Sequence, residues 1–178
     1  KDNADTIIKA GEKFNVNPAI IAGCIYAEQT INVDVKDKYI DPLVYSYGID
    51  VSLGIGQVRI STAKKVESKG YMPRIIVDDF GISNGEESII VNQENNMRAR
   101  ALMNDKTNIM YVAAYLRYIQ DIWKNKYPQI SGKSDILGTL YNIGEYGKNG
   151  VNSNPQSNDF GKTVKKNYGK MQGLLGLK

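Results

Sequence analysis

A glutamate in an otherwise apolar helical segment is the residue best suited to chemistry in this chain. Segment 17–30 has helical spacing, and one stripe of it, at positions i, i+3, i+4 and i+7, consists of Ile21, Cys24, Ile25 and Glu28. Because the rest of the stripe is apolar, it should face the core and carry the Glu28 carboxylate with it. A poorly solvated carboxyl group has a raised pKa and keeps its proton near neutral pH. Glu28 is therefore predicted to act as a general acid.

Other kinds of catalysis are excluded by the residue types that the chain lacks. It contains no histidine and a single cysteine, Cys24. Serine–histidine and cysteine–histidine catalysis are therefore excluded, as are zinc sites that need imidazole or several thiolates. Cys24 lies on the apolar stripe and is interpreted as a small buried hydrophobe. Chemistry must rest on carboxylates, hydroxyls, amides, lysines or tyrosines, and we predict neither a metal site nor a cofactor.

Size and composition indicate one globular domain. The chain has 178 residues, of which 42% are hydrophobic and 24% charged, and these fractions are ordinary for a globular protein. No run approaches the roughly 18 consecutive apolar residues of a membrane span. We expect a single domain over residues 1–178. Since the chain starts at Lys1 and shows no secretory signal, we expect it to be excised from a longer or processed protein.

Positive charge is concentrated at the carboxyl end. Residues 161–178 carry five lysines and no acid, whereas the whole chain has a net charge of +4, so the other residues together carry −1. One interpretation is a solvated helix face. The other is a surface that favours an anionic polymer such as cell wall or nucleic acid. We do not expect nucleic-acid binding, because no recognised motif accompanies the lysines.

The elements that must position Glu28 are predicted to be mainly α-helical. Helical spacing and caps predict helices over about 5–14, 18–30, 61–69, 94–104, 107–124 and 134–143, and a last helix that carries Phe160 and Val164. Asn17 and Ser134 are predicted to cap two of them. Two β-branched runs, 74–77 and 88–91, are separated by turn residues. They predict a small β-hairpin or an irregular insertion around 71–93.

Several short segments resemble one known family. Segment 18–22 leads to Ala27-Glu28; segment 54–58 reads Gly-Ile-Gly-Gln-Val and precedes Ser-Thr-Ala; segment 140–144 reads Leu-Tyr-Asn-Ile-Gly. Between the last two lie Asn108-Ile109 and Tyr115-Leu116. In this order they resemble the motifs of the soluble lytic transglycosylase and goose-type lysozyme family, over roughly residues 5 to 170. The resemblance implies a lysozyme-like helical fold.

The chain departs from that family at several positions. Gln29 follows the catalytic glutamate where the family usually has serine, Ile55-Gly56 replaces a bulky pair, and Glu145 stands where the family often has proline. The loop after Glu28 and the stretch from Thr62 to Asn108 are longer than usual. These changes bear on the fit of the substrate more than on the type of reaction.

The resemblance implies cleavage of peptidoglycan between N-acetylmuramic acid and N-acetylglucosamine. The resemblance therefore predicts a lytic transglycosylase as the main interpretation. Such an enzyme uses one carboxylate, here Glu28, as the acid that protonates the leaving oxygen and then as the base that deprotonates the muramoyl C6 hydroxyl. The product has a 1,6-anhydromuramoyl end. The family also implies the substrate-binding residues, which are Ser52, Ile55, Gln57, Tyr141 and Asn142. Tyr141 would also orient Glu28, and Asn142 would hold the following turn.

Other interpretations of the same residues remain open. Gln57 can be a turn-stabilising amide, Tyr141 a core tyrosine and Asn142 a structural residue. A goose-type muramidase or chitinase would use a second carboxylate, for which Asp50 and Glu145 are candidates, and either can instead be a solvated loop acid. For an inverting hydrolase, Asp50 should stand roughly 6.5–9.5 Å from Glu28. A non-catalytic wall-binding module is a third alternative.

The setting follows from the predicted substrate. The expected partner is the glycan strand of peptidoglycan, and the expected location is the periplasm, the cell envelope or the space outside the cell. A domain of this kind can belong to a larger secretion, conjugation, phage or toxin-delivery protein.

Overall fold

The computed structural model describes residues 2–31, 50–76 and 87–177, with only the backbone for 87–92. Seven α-helices, one 3₁₀ helix and one pair of short strands make up the regular structure of these ranges. In chain order they are α1 (Ala4–Phe14), α2 (Pro18–Ile31), β1 (Ser52–Leu53), β2 (Val58–Arg59), α3 (Ile60–Ser68), α4 (Glu87–Met103), α5 (Asp105–Trp123), the 3₁₀ helix (Pro128–Gly132), α6 (Ser134–Ile143) and α7 (Asp159–Leu174). The prediction of a mainly α fold is confirmed.

The two strands form an antiparallel hairpin, in which Ser52 lies opposite Arg59 and Leu53 opposite Val58. The predicted hairpin around 71–93 is not formed in its second arm, because residues 88–91 belong to α4. This run is followed by Gln, Glu, Met, Arg, Ala and Leu, and such helix formers summed over 17 residues outweigh a local β preference. Residues 73–76 have no regular structure, in line with an irregular insertion, and the predicted turn residues between the two runs, within 77–86, lie outside the described residues.

The two predicted helix caps have different outcomes. Asn17 accepts a hydrogen bond at Oδ1 from the backbone N–H of Ala19 (2.9 Å), just before Pro18 opens α2, so this cap is confirmed. At α6 the N-cap position is Lys133, and no side chain caps the helix. The prediction for Ser134 is wrong because Ser134 is already the first helical residue.

The core surrounds α2 and α5. On α5, Ile109, Val112, Leu116 and Ile119 are fully buried. Helix α2 packs against α1, α5, α6 and α7, so it is buried on almost every side rather than along a single stripe. Within residues 2–31, 50–76 and 87–177, no helix combines the length and apolar character needed to cross a bilayer.

Val164 on α7 is the contact that brings three helices together. A Cβ atom added at Gly23 of α2 would lie 2.9 Å from Cγ1 of Val164, and one added at Gly138 of α6 would lie 2.7 Å from Cγ2. Both distances are shorter than packed carbon atoms allow, so glycine is required at each position. The valine therefore packs directly against the backbones of α2 and α6.

A buried ion pair joins α3 and α4 to α5. Arg98 Nε donates to Glu67 Oε2 (2.9 Å), and the Tyr111 hydroxyl donates to Glu67 Oε1 (2.8 Å). Arg98 Nη2 also donates to the carbonyl of Ile75 (2.8 Å). Since both charged groups are buried, each needs these partners to offset its lost hydration. The network fixes α3, which contributes to the site described next.

Candidate active site

A cleft of about 680 Å³ lies where the end of α2 meets the hairpin, the start of α3 and the end of α6. This volume is within the usual range of ligand sites. Six of the predicted site residues line it, and these are Glu28, Ser52, Gln57, Tyr141, Asn142 and Glu145. Ile55 and Asp50 are not part of the lining. The structure thus brings residues that are more than 80 positions apart in the sequence together around Glu28.

Glu28 lies in the last turn of α2 and is only 6% exposed. Cys24, one turn earlier, is fully buried, and the pKa of its thiol is raised first by burial and then by the negative charge of Glu28. The pKa of Tyr141 is raised for the same two reasons, burial and then Glu28. The Glu28 carboxylate therefore lies close to both side chains, in a poorly solvated part of the cleft wall.

Gln57 closes the turn between β1 and β2. Its backbone N–H and its side-chain Nε2 both donate to the carbonyl of Gly54 (3.0 Å each). The φ angles are 69° at Gly54 and 49° at Gln57, in the left-handed region that residues other than glycine rarely adopt. Such a conformation persists only where the surroundings enforce it. The Gln57 side chain thus stabilises its own turn while it lines the cleft.

Asn108, on α5, enforces this conformation of the hairpin. It is fully buried, and its Nδ2 donates to the carbonyls of Leu53 (2.8 Å) and Leu102 (2.9 Å), while Oδ1 accepts from the N–H of Gly56 (2.8 Å). A side chain on Gly56 would overlap Val112 and come within 2.9 Å of Asn108 Oδ1. Sequence reasoning noted Asn108 only as part of the family resemblance and missed this role. Its signal was an amide directly before the apolar run 109–116 of the same helix.

Tyr141 connects α6 to the same hairpin. Its hydroxyl donates to the carbonyl of Gly56 (2.5 Å), and its ring packs between Tyr115 (5.8 Å between ring centres) and Phe160 (6.4 Å). The ring therefore forms part of the cleft wall beside Glu28, and its hydroxyl is held by backbone.

The other predicted contact residues have different surroundings. Ser52 is half-buried on β1 and faces the cleft. The carbonyl of Ile55 accepts a hydrogen bond from Gln29 Nε2 (2.9 Å), so Ile55 is tied to the end of α2. Asn142 Oδ1 accepts from Asn158 Nδ2 (2.9 Å), and this contact joins the end of α6 to the start of α7.

Of the two candidate second carboxylates, Glu145 lies in the cleft wall. It is 7% exposed; Lys65 Nζ donates to Oε1 (2.5 Å), and the Tyr115 hydroxyl donates to Oε2 (3.0 Å). Burial acts to raise the pKa of Glu145, but the hydrogen bonds from Lys65, the backbone and Tyr115 outweigh it and hold the pKa below its usual value. Glu145 is therefore an ionised carboxylate near neutral pH.

Asp50 is exposed and serves the start of α3. Its two carboxylate oxygens accept from the N–H (2.9 Å) and the hydroxyl (2.7 Å) of Ser61, and the Arg59 guanidinium lies 3.8 Å away. An acid at the first turn satisfies an N–H group that the helix itself cannot pair. In the described ranges, no three acidic or cysteine side chains cluster so as to hold a metal ion.

Sequence reasoning missed Arg59, Lys65 and Tyr115 as lining residues of the cleft. Thr62 and Lys65 are three residues apart and face the cleft from one side of α3. This spacing was visible in the sequence, but the side of the helix that faces Glu28 was not.

Comparison with known proteins identifies the family. No curated protein matches the chain at a significant level. A family model described as T6SS, peptidoglycan muramidase Tse3, catalytic domain matches residues 1–121, which include Glu28, the hairpin, Lys65 and Tyr115. The match covers more than half of the 178 residues. The chain therefore belongs to the family of the T6SS peptidoglycan muramidase Tse3 catalytic domain.

Proposed function

We propose that the protein is a muramidase that hydrolyses the β-1,4 bond between N-acetylmuramic acid and N-acetylglucosamine in peptidoglycan, with Glu28 as the general acid. One observation carries this proposal. Glu28 is buried in the wall of an open cleft, inside the part of the chain that matches a muramidase catalytic domain. A carboxyl group in such a position is suited to protonate the glycosidic oxygen as the bond breaks.

The remaining lining groups suit a glycan. The amide of Gln57, the hydroxyl of Ser52 and the amide of Asn142 can exchange hydrogen bonds with sugar hydroxyl and acetamido groups. Tyr141, held by the carbonyl of Gly56, would keep the wall beside Glu28 in place. Ile55 would act indirectly, through the contact of its carbonyl with Gln29.

Hydrolysis requires a second carboxylate that activates water or stabilises the sugar cation. We assign this role to Glu145, because it lines the same cleft and its lowered pKa keeps it ionised. A general acid and an ionised carboxylate on one cleft are the usual arrangement for this chemistry. Asp50, which accepts two hydrogen bonds from Ser61 at the start of α3, is the second choice.

A lytic transglycosylase is the second candidate function, and one observation favours it. Both candidate second carboxylates are already engaged, Glu145 by Lys65 and Tyr115 and Asp50 by Ser61. If neither can leave its partners, Glu28 acts alone as acid and then as base. The muramoyl C6 hydroxyl then attacks C1, and no water is consumed.

The test is digestion of purified peptidoglycan followed by mass spectrometry of the products. Reducing ends support hydrolysis, whereas 1,6-anhydro ends support the transglycosylase. Glu28→Gln should lower the rate by about 10²–10⁴-fold without lowering the melting temperature. Glu12→Gln, at an exposed position on α1, is the matched control and should leave the rate unchanged. Full activity in Glu28→Gln would exclude the proposed acid, and wall binding without any cleavage would favour the non-catalytic module.

The family name supports a setting in toxin delivery. We propose that residues 1–178 form one domain, that it belongs to a larger secretion or toxin-delivery protein, and that it acts on the wall in the periplasm or cell envelope. Expression in a bacterium with an export signal should cause lysis, and expression without that signal should not. Equal toxicity of the two forms would contradict the proposed location.

A further inference from the structure

In the part of the cleft lining that the structure describes, the charges do not cancel when Glu28 carries a proton. Among the residues that the structure describes, two cations, Arg59 and Lys65, and two acids, Glu28 and Glu145, face it. Lys65 is held by Glu145, so these two neutralise each other. Glu28 must carry a proton to act as the acid, and in that state it has no charge. Within the described part of the lining, no other residue then balances the positive charge of Arg59.

The position of Arg59 allows its charged guanidinium to bind a ligand. Its side chain is 63% exposed at the end of β2, and its charged neighbour, Asp50, is 3.8 Å away. In the described part of the chain the guanidinium makes no hydrogen bond. Both carboxylate oxygens of Asp50 accept hydrogen bonds from Ser61, at 2.9 Å and 2.7 Å. Asp50 therefore orients the Arg59 guanidinium by its charge but does not use the N–H donors of that group. The N–H groups of the Arg59 guanidinium are therefore available to bind a ligand in the cleft.

The start of α3 adds to the preference for an anion. Arg59 is the N-cap of this nine-residue helix, and Ser61 and Thr62 of its first turn also line the cleft. The amino end of a helix carries partial positive charge, which Asp50 offsets in part here through Ser61. A guanidinium next to it is therefore a good partner for a planar anion, which it can bind through two parallel hydrogen bonds.

The two sugars of peptidoglycan differ in one group that fits this chemistry. N-acetylmuramic acid carries an O-lactyl group at C3, which N-acetylglucosamine lacks. This substituent ends in a carboxylate when the strand has no peptide, and in intact peptidoglycan the attached stem peptide supplies carboxylates instead. We propose that Arg59 binds a carboxylate of the muramoyl substituent and so makes the cleft selective for peptidoglycan over chitin. The proposal rests on the function proposed above, since it assumes a glycan in the cleft.

Binding measured without cleavage tests this assignment. In a Glu28→Gln background, isothermal titration would compare three soluble ligands: intact peptidoglycan fragments, the same strands after amidase removal of the peptides, and a chitin hexasaccharide. Adding Arg59→Gln should weaken binding of a carboxylate-bearing strand by about tenfold, equivalent to about 1.4 kcal/mol, through loss of a charge-assisted hydrogen bond. Binding of the uncharged hexasaccharide should not change. Arg59→Lys keeps the charge but lacks the two parallel N–H donors of the guanidinium. Its affinity for the carboxylate-bearing strand should lie between that of the protein with Arg59 and that of Arg59→Gln.

The remaining outcomes identify the source of the carboxylate or overturn the proposal. Weakening confined to intact fragments assigns it to the stem peptide, and weakening of the stripped strands assigns it to the lactyl group. Equal weakening for all three ligands, or for none, overturns the role of Arg59. Arg100→Gln, at an exposed position on α4, is the matched control and should have no effect. Failure of the proposed function would be seen separately, as absence of cleavage by the wild-type protein.

Discussion

Glu145 is a residue whose ionisation is controlled by its neighbours in the cleft. Lys65, the backbone and Tyr115 lower its pKa below the ordinary value of 4.5 in spite of its burial. A carboxyl group with a lower pKa in the folded than in the unfolded state stabilises the fold fully above the unfolded pKa. This stabilisation is lost as the pH falls through the folded pKa. The stability of the cleft wall should therefore depend on pH in the acid range.

Replacing Glu145 by glutamine tests this link. At pH 7 the variant should be less stable, because Lys65 and Tyr115 lose their charged partner. The difference from wild type should shrink as the pH falls below about 4.5 and Glu145 itself becomes protonated. Urea unfolding between pH 3 and pH 7 measures it. Asp159→Asn, at an exposed position, is the control, and a pH-independent difference would contradict the assigned pKa shift.

At this scale the sequence predicted the acid but not all of its neighbours. Glu28 could be found because it stands out as the one acid in an apolar segment with helical spacing, although the burial of α2 comes from four neighbouring helices. The hydrogen bond from Tyr141 to the carbonyl of Gly56 joins residues 85 positions apart, and no local pattern specifies it. Only the family resemblance placed Tyr141 near Glu28. The pair of Lys65 with Glu145 spans 80 positions and was missed for the same reason.

The hairpin is held to α5 by one side chain. Each strand has only two residues, so pairing between the strands contributes little. The amide of Asn108 supplies three hydrogen bonds to the backbone at Leu53, Gly56 and Leu102. The hairpin and the cleft wall that it forms should therefore depend on Asn108 more than on their own residues.

Asn108→Ala should destabilise the protein by more than about 3 kcal/mol, because it leaves three buried backbone groups unpaired at about 1–3 kcal/mol each. Chemical denaturation measures the loss. Any variant that remains folded should also lose activity, since Gln57 and Ser52 would no longer be held in place. Asn125→Ala, at an exposed turn after α5, should be close to neutral. Similar effects of the two changes would refute the special role of Asn108.

Elements in which apolar residues repeat at regular spacing could be predicted from the sequence, and elements without such a repeat could not. The limits of α1, α5 and α6 were close to those observed because apolar residues repeat at helical spacing. Two-residue strands have no period, so no hairpin was predicted from the sequence at 52–59. The β-branched run at 88–91 led to a wrong prediction of a strand, because its local composition was considered without the helix formers that follow it.

The molecule as a whole is completed by helices beyond the family match. The match ends at residue 121, yet Tyr141, Asn142 and Glu145 line the cleft from α6 and the turn after it. Helix α7 packs against α2 and α6 through Phe160 and Val164. The part of the chain after the match is therefore needed both for the core and for the cleft.

Deletion of residues 159–178 tests that requirement. Without α7, the backbones of α2 and α6 that contact Val164 would be exposed to water. We expect the truncated protein to lose its cooperative thermal transition, measured by circular dichroism, together with its activity on peptidoglycan. Deletion of residues 176–178 is the control and should preserve both. A cooperative, active protein that ends at residue 158 would show that α7 is dispensable.

Val164 also contacts both helices that carry cleft residues, and we expect the size of its side chain to affect the width of the cleft. Helix α2 carries Glu28 and α6 carries Tyr141, and the two methyl groups of one valine keep these helices apart at positions where each has a glycine. A smaller side chain at this position would let the two walls approach each other, and a larger one would spread them. Variation at position 164 is therefore a route to tune which glycans fit, without changing any residue that touches them.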